Sequence, residues 1–517
     1  MTRQSFIYGA LVLLVAALLN RIIGFIYQIL MIRLIQTEGI GLFNMVYPIY
    51  VLILVVATAG IPLSISKLVA EETARHNIPG ARRIFRVSLI YLVIFSVLCT
   101  VSLIWAAPLL LKYVFPNPKV YYSFLCLVPG IIIVSLCSAF RGYFQGLQQM
   151  TPTAVTQTIE QLVRVTIGLT AAYIMLPRGL EYAAIGVSLG VVCGELSGFL
   201  LMLIIYFRHR PHIPQGYQNM RLDSFYNTSS RIFELAIPIT LTRFVATGLM
   251  SLEAILIPQR LQAIGFSLNA STSVYGQLSG IAETLLFTPT VITISLATAL
   301  VPAISDAMAQ NNMQMVHNRI NKSLRITILT GLPSAAILSV LASEICRILF
   351  GYPETGLILS ILAIGGPFLY FTQTTTGILQ GLGNATKPFK NMVAASLFKI
   401  LGIYYFTNLW GIRGAAISLS VSYLIMALMN YLDLYDLTGY KLNPGVHLFK
   451  PLFAVTVMAW VLWQMSNFIN SHNILNSFSL IITLLTGTAV YILLLFITKT
   501  IDIDDMKQIT GIFKDKG

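Results

Sequence analysis

A chain of 517 residues that is 56% hydrophobic and only 10% charged cannot cover a soluble surface, because ordinary globular domains carry about 25% charged residues. A bilayer removes that requirement, so the composition fits a membrane-embedded bundle and excludes a large soluble domain. The net charge of +14 lies in short gaps between apolar runs rather than on one solvated face, which argues against nucleic acid as a partner and for basic loops resting on an anionic leaflet.

Apolar stretches of about 20 residues, each long enough to span the hydrocarbon core, recur along the whole chain. They predict an all-α polytopic membrane protein with about 14 transmembrane helices. The spans fall at about 5–32, 43–66, 87–111, 120–146, 153–176, 182–206, 232–257, 274–301, 326–349, 357–382, 388–407, 414–435, 449–467 and 477–498. The first run is too long for the core of a signal peptide and holds Arg21, so it reads as a retained helix. Gly60-Ile61-Pro62, Pro289, Pro302, Pro333 and Gly365-Gly366-Pro367 interrupt spans and mark kinks or unwound backbone.

The longest connection, 208–231, carries Pro211, Pro214 and Gly216 among polar residues and reads as a linker. It separates an N-terminal six-helix lobe (1–207) from a C-terminal six-helix lobe (232–440), followed by helices 13 and 14 with a tail (441–517). An internal repeat supports two pseudo-symmetric lobes. Gln145-Gly146-Leu147 recurs as Gln380-Gly381-Leu382, and the same displacement carries Arg164 onto Lys399. Ile65-Ser66-Lys67, after Pro62, is echoed by Ile304-Ser305-Asp306, after Pro302. Repeats of this kind are typical of transporters, whose site is expected between the halves.

Loops and tails on the side of the N-terminus hold 21 Lys and Arg, and the opposite loops hold seven. The positive-inside rule then puts both termini in the cytoplasm. The five cysteines form no CxxC and lie in or beside apolar runs, where they read as packing residues. All six His fall in loops by these boundaries, and no Gly-Lys dipeptide exists, so neither a metal site nor a P-loop is expected. No enzyme activity and no cofactor are anticipated.

Nine ionisable residues fall well inside the spans: Arg21, Arg141, Glu160, Arg164, Glu195, Arg243, Glu253, Glu283 and Lys399. Each costs roughly 2.5–3.5 kcal/mol at a helix centre, so such groups face a bundle interior or a watery cavity. Gln157, Glu160, Gln161 and Arg164 share one helical face, and Glu160 can pair with Arg164 at i,i+4. Arg141 and Gln145 repeat the pattern one span earlier. Arg21, Gly24 and Gln28 share a face, as do Arg243 with Thr247 and Ser279 with Glu283. Glu195, beside Gly194 and Gly198, reads first as part of a helix-packing face. Static helix-to-helix pairing is the plain alternative for any one of these residues. Taken as a set, five cations against four carboxylates point to an anionic substrate such as a phosphate or pyrophosphate held by guanidinium forks. The candidate substrate-binding residues are Arg21, Arg141, Gln145, Gln157, Glu160, Gln161, Arg164, Arg243, Glu283 and Lys399.

Several segments resemble the polysaccharide-transporter branch of the multidrug/oligosaccharidyl-lipid/polysaccharide (MOP) exporter superfamily. They are Gly39-Ile-Gly-Leu-Phe43, Gly60-Ile-Pro-Leu-Ser-Ile-Ser-Lys-Leu-Val-Ala-Glu-Glu72, and Phe140-Arg-Gly-Tyr-Phe-Gln-Gly-Leu-Gln-Gln-Met-Thr-Pro152 followed by Glu160, Gln161 and Arg164. The resemblance covers nearly the whole chain and is most specific in the last of these. It implies two six-helix lobes in a V, with helices 13–14 forming a groove for a lipid tail. It also implies a flippase for an undecaprenyl-linked peptidoglycan precursor, acting in spore cortex synthesis in the mother-cell membrane around the forespore. The related lipid II flippases carry cavity arginines, one of them on the first helix, and Arg21 stands at the comparable place. The acidic neighbour usual there is missing, since Asn20 and Ile22 flank Arg21. The expected partners are a lipid-linked anionic glycan, membrane lipids and a coupling ion, with the protein a monomer. A flippase for another lipid-linked glycan, a multidrug antiporter and a non-transporting scaffold for cell-wall enzymes remain as alternatives.

Overall fold

The computed structural model describes residues 6–208, 224–472, 476–498 and 500. Most of the 208–231 linker, including His209 and His212, lies outside the described residues, as do Met1–Gln4 and the tail from 501. The described chain is almost wholly helical. Thirteen helical runs in it are long and apolar enough to cross a membrane.

The first run, Val12–Ala74, has 63 residues, or about 95 Å of helix, roughly three hydrocarbon thicknesses. Two breaks divide it. Gln36, inside α1 (Phe6–Thr58), has φ 60 and ψ 179, a region that essentially only glycine visits without strain. Ala59 and Gly60, both at positive φ, then separate α1 from α2 (Ile61–Ala74). There follow α3 (Ile78–Tyr113), α4 (Tyr121–Leu127), α5 (Gly130–Gly146), α6 (Thr151–Met175), α7 (Leu180–Arg208), α8 (Phe225–Ala263) and α9 (Leu268–Gly276). A π-turn (Gln277–Ala282) leads to α10 (Glu283–Leu286), α11 (Thr290–Ala309), α12 (Met313–Val340), α13 (Ala342–Leu349), α14 (Gly356–Gly381), α15 (Thr386–Trp410), α16 (Ile412–Thr438), α17 (Lys450–Ser471) and α18 (Ser477–Ile497).

These elements form two compact units, Met1–Gly276 and Gln277–Gly517. In the first, Ile61, Leu68, Phe85, Phe140, Tyr143 and Ile232 belong to one buried cluster joining α2, α3, α5 and α8. The attachment of α9 to α1 is reciprocal. A Cβ on Gly41 would lie 2.2 Å from the Thr272 carbonyl oxygen, and a Cβ on Gly276 would lie 1.9 Å from that of Thr37. Only glycine lets the backbones approach so closely. In the second unit, Leu300, Ile304, Ile320, Leu324, Ile378 and Leu434 form the cluster between α11, α12, α14 and α16. Glu344 on α13 accepts hydrogen bonds from Ser466 and, at 3.0 Å, from Asn470. Tyr491 donates to the Leu329 carbonyl at 3.0 Å, and Arg325 donates to that of Thr500. These polar pins fasten α17 and α18 to α12 and α13.

Within each unit the elements recur in a single register displaced by 235 residues. α6 and α15 start and end at matching positions, Thr151 with Thr386 and Met175 with Trp410. α3 and α12 follow matching N-caps, Asn77 and Asn312, whose side chains accept from the amides of Gly80 and Met315. The contacts recur as well. Gly142 meets the Pro62 carbonyl where Gly377 meets that of Ala297; Gly146 meets Ser66 and Val69 where Gly381 meets Val301 and Ile304. The Ile65–Lys67 echo of Ile304–Asp306 is displaced by 239 and so joins positions one helical turn apart; it is not part of the structural register.

Two expectations need correction. The span at 274–301 is not one helix: the π-turn and the Thr288–Pro289 step divide it, because proline lacks the amide that would continue the hydrogen-bond ladder. His447 is not a loop residue but lies in a π-turn, Gly445–Phe449, that leads into α17, and neither is His317. It lies near the start of α12, with Nε2 2.7 Å from the Thr438 carbonyl oxygen.

Gly142→Ala and Gly377→Ala should each destabilise the protein by about 1–3 kcal/mol, the usual cost of overpacking. Gly248→Ala, where the added carbon meets only Leu52 at 3.8 Å, should be neutral or slightly stabilising. Thermal unfolding of the purified variants in detergent measures all three, and equal midpoints would contradict the packing described.

Candidate functional site

The first unit places three charged side chains of the middle helices together. Arg141, near the end of α5, directs Nη2 to Oε2 of Glu160 on α6 at 2.7 Å. Arg164, one turn further along α6, directs Nη2 to Oε1 of the same carboxylate at 2.7 Å. One carboxylate thus bridges two guanidinium groups, with all three side chains only 17–19% exposed.

The sequence of α7 makes this arrangement possible. Gly186, Gly190, Gly194 and Gly198 recur every four residues. A Cβ on the first three would lie 2.4–2.7 Å from α6 backbone atoms, and one on Gly198 would lie 3.3 Å from Glu160 Oε2. A stripe of small residues lets two membrane helices touch along their backbones. Glu195 lies on α7 in the same stretch and is buried, at 6% exposure. Tyr50, on the second part of α1, donates to its carboxyl oxygens at 2.9 and 3.1 Å. A Cβ on Gly130 would collide with both groups, at 2.5 and 2.6 Å. Arg141 and Arg164 interact electrostatically with Glu195, and Arg164 also with Tyr27 and Tyr47 of α1.

The cluster therefore holds two guanidinium groups and two carboxyl groups, so the surplus of cations expected from the nine intramembrane charges is not located in it. Its chemistry is still that of a seat for oxyanions. Nε of Arg141 and Nε of Arg164 are buried and have no hydrogen-bond partner among the described residues. An unsatisfied buried donor costs about 1–3 kcal/mol, and a phosphate or sugar oxygen placed there would recover that cost.

The other sequence candidates are placed as follows. Gln161 lies on α6 with its amide nitrogen 3.5 Å from where a Cβ on Gly24 would be, one turn along α1 from Arg21. Gln145 is half-buried at the end of α5, and Gln157 is exposed on α6. Arg21 and Arg243 are exposed on α1 and α8. Glu283 and Lys399 belong to the second unit, half-buried on α10 and α15. The tyrosines around the cluster had no distinguishing signal in the sequence, where they are three among 24.

In the second unit the same register gives Thr376, Ala395, Lys399 and Asn430 at the positions of Arg141, Glu160, Arg164 and Glu195. There the centre is a network of amides and hydroxyls that runs on to one ion pair. Asn430 donates to Thr375 and Thr376 at 3.2 and 3.3 Å and accepts from Asn391 at 3.0 Å. Asn391 also donates to Asp433, which pairs with Lys387.

Residues 6–308 match the family model described as polysaccharide biosynthesis protein. The chain belongs to that family. Residues 277–405 also match the MatE model, and both place the chain in the MOP superfamily of multi-pass membrane proteins. The chain is 31% identical over 517 residues to stage V sporulation protein B of Bacillus subtilis (strain 168), covering 98% of each. It is 24% identical to the lipid II flippase MurJ of the same organism, over 88% of this chain and 86% of that one. Among solved structures, MurJ in an inward closed conformation superposes with a TM-score of 0.69 at 16% identity, covering 93% of this chain and 97% of that one. An inward-facing multidrug resistance transporter of the MATE family gives 0.66 at 14%, covering 82% and 96%. These last two are likenesses of fold.

Glu160→Ala leaves two buried guanidinium groups without their counter-ion and should cost about 3–5 kcal/mol. Replacing Arg141, Glu160 and Arg164 together by Met, Leu and Met should cost far less, because no buried charge is then left unpaired. Unfolding midpoints of the two variants decide this; a triple variant less stable than Glu160→Ala would contradict the pairing.

Proposed function

We propose that this protein is a flippase that moves an undecaprenyl-linked peptidoglycan precursor, lipid II or a close analogue, across the membrane for spore cortex synthesis. It is a transporter and not an enzyme. The observation that carries the reading is the Arg141–Glu160–Arg164 cluster, held among membrane-spanning helices of a chain in the polysaccharide biosynthesis protein family. A diphosphate needs such guanidinium forks, and charges at that depth are retained for function more often than for stability. The 31% identity to stage V sporulation protein B supports the place of action, and the match to MurJ supports the class of cargo.

In this proposal the first helical run crosses the membrane twice, turning at Gln36, which brings the crossings to fourteen and both termini to the cytoplasm. The repeat divides the chain into lobes at 1–207 and 232–440, with helices 13 and 14 alongside the lipid tail. The headgroup displaces part of the Glu160 pairing, taking up Arg141 and Arg164, with Arg21, Gln145, Gln157 and Gln161 as further candidates in the N-terminal lobe and Arg243, Glu283 and Lys399 in the C-terminal lobe. Alternating access then exposes the headgroup to the far side, driven by an ion gradient or the membrane potential. The MatE match over 277–405 favours, as a second reading, an antiporter of organic cations.

The test is a sidedness assay for lipid II in vesicles with and without the protein. Flipping should be lost in Arg164→Ala and Arg21→Ala while both variants still insert. Full flipping by both would refute the site, and cation efflux without lipid II movement would favour the antiporter.

A further inference from the structure

We propose that a pocket between the first turns of α3 and the start of α8 binds the headgroup of an anionic phospholipid in the adjoining leaflet. The pocket has a volume of about 320 Å³. It is lined by Arg82, Arg83, Arg86, Val87 and Ile90 of α3 and by Phe225 of α8. All belong to the first unit.

The pattern along α3 matches the polarity of a phospholipid. With 36 residues the helix is about 54 Å long, well beyond a hydrocarbon core of about 30 Å. Its first turns therefore extend into the headgroup region. The three arginines lie in those turns, and Val87 and Ile90 begin the apolar stretch that follows. Ile90 and Phe225 are each 50% exposed, forming an apolar shoulder below a cationic rim.

Among the described residues the cations are not neutralised. The nearby carboxylates Glu71 and Glu72 are held by Arg231, at 3.3 and 2.9 Å. Among the described residues no carboxylate pairs with Arg82, Arg83 or Arg86. Nε of Arg83 is buried and has no hydrogen-bond partner among the described residues, while Arg82 reaches towards Tyr143. Three guanidinium groups around one small cavity suit a phosphodiester, whose oxygens accept paired N–H donors. A free phosphate would leave the apolar side unused. Basic pockets between membrane helices hold acidic lipid headgroups by this combination of forces. The Arg141 cluster plays no part in the site, so it stands or falls separately from the flippase proposal.

The experiment uses the full chain purified in a neutral detergent. Thermal unfolding and native mass spectrometry are followed with phosphatidylglycerol, phosphatidylcholine, inorganic phosphate and undecaprenyl phosphate. Phosphatidylglycerol should bind and raise the unfolding midpoint, and phosphatidylcholine and phosphate should not. Arg83→Gln and Arg86→Gln should each weaken phosphatidylglycerol binding about fivefold. Arg86 is exposed, so its variant decides the matter if Arg83→Gln fails to fold. Equal stabilisation by phosphatidylcholine, or by phosphate alone, overturns the proposal, as does unchanged binding by Arg86→Gln. Undecaprenyl phosphate binding in preference to phosphatidylglycerol, with the same arginine dependence, would make the pocket a seat for substrate and overturn the phospholipid assignment.

Discussion

Glu160 shares one carboxylate between two guanidinium groups, and the polar interior of the first unit depends on that sharing. Three ionised side chains are tolerable at membrane depth only when their charges are paired, and here the pairing leaves just the Nε–H groups of Arg141 and Arg164 without a partner among the described atoms of the three side chains. The geometry requires α5, α6 and α7 to converge within a few ångströms. Four glycines on α7 provide the approach, and Tyr50 closes the site by occupying the neighbouring carboxyl group of Glu195. The packing and the electrostatics are thus one design: any side chain at Gly194 would push α7 away from the backbone of α6 that carries Glu160 and Arg164.

The second unit solves the same packing problem with one charge in place of four. Asn430 occupies the position of Glu195 in the shared register and is satisfied by threonine hydroxyls and Asn391. Only Lys399 keeps a charge among the four corresponding positions. Two halves with one architecture have therefore been given different chemistry, as expected when a fold supplies the scaffold and a few side chains supply the function.

How much of this was legible in the sequence depended on distance along the chain. The Glu160–Arg164 pair follows from helical spacing, because residues four apart share a face. Its second partner, Arg141, is 19 residues away, and only the packing of α5 on α6 reveals which carboxylate it meets. Glu195 reads in sequence as a packing residue because glycines flank it. It is buried in the helix contact as that reading implies, but its hydrogen bond comes from Tyr50, 145 residues away, where no local pattern could point. The apolar stretches were plain from composition, whereas the π-turn at Gln277–Ala282 and the break at Gln36 were not. No proline or glycine stands at Gln36, and Gly280 inside the π-turn is no signal among 36 glycines.

The constant displacement of 235 residues has a consequence for the history of the chain. It holds from the Pro62 and Ala297 contacts through Asn77 and Asn312 to the ends of α6 and α15. Over that stretch the two halves have kept equal length while their sequences diverged almost beyond recognition. Insertions and deletions there have been eliminated or have cancelled, and change has come through residue replacement. Chain length between corresponding points in this stretch is thus held, while helix continuity is not, since α3 is one helix and its counterpart is divided between α12 and α13, and neither is ionic character.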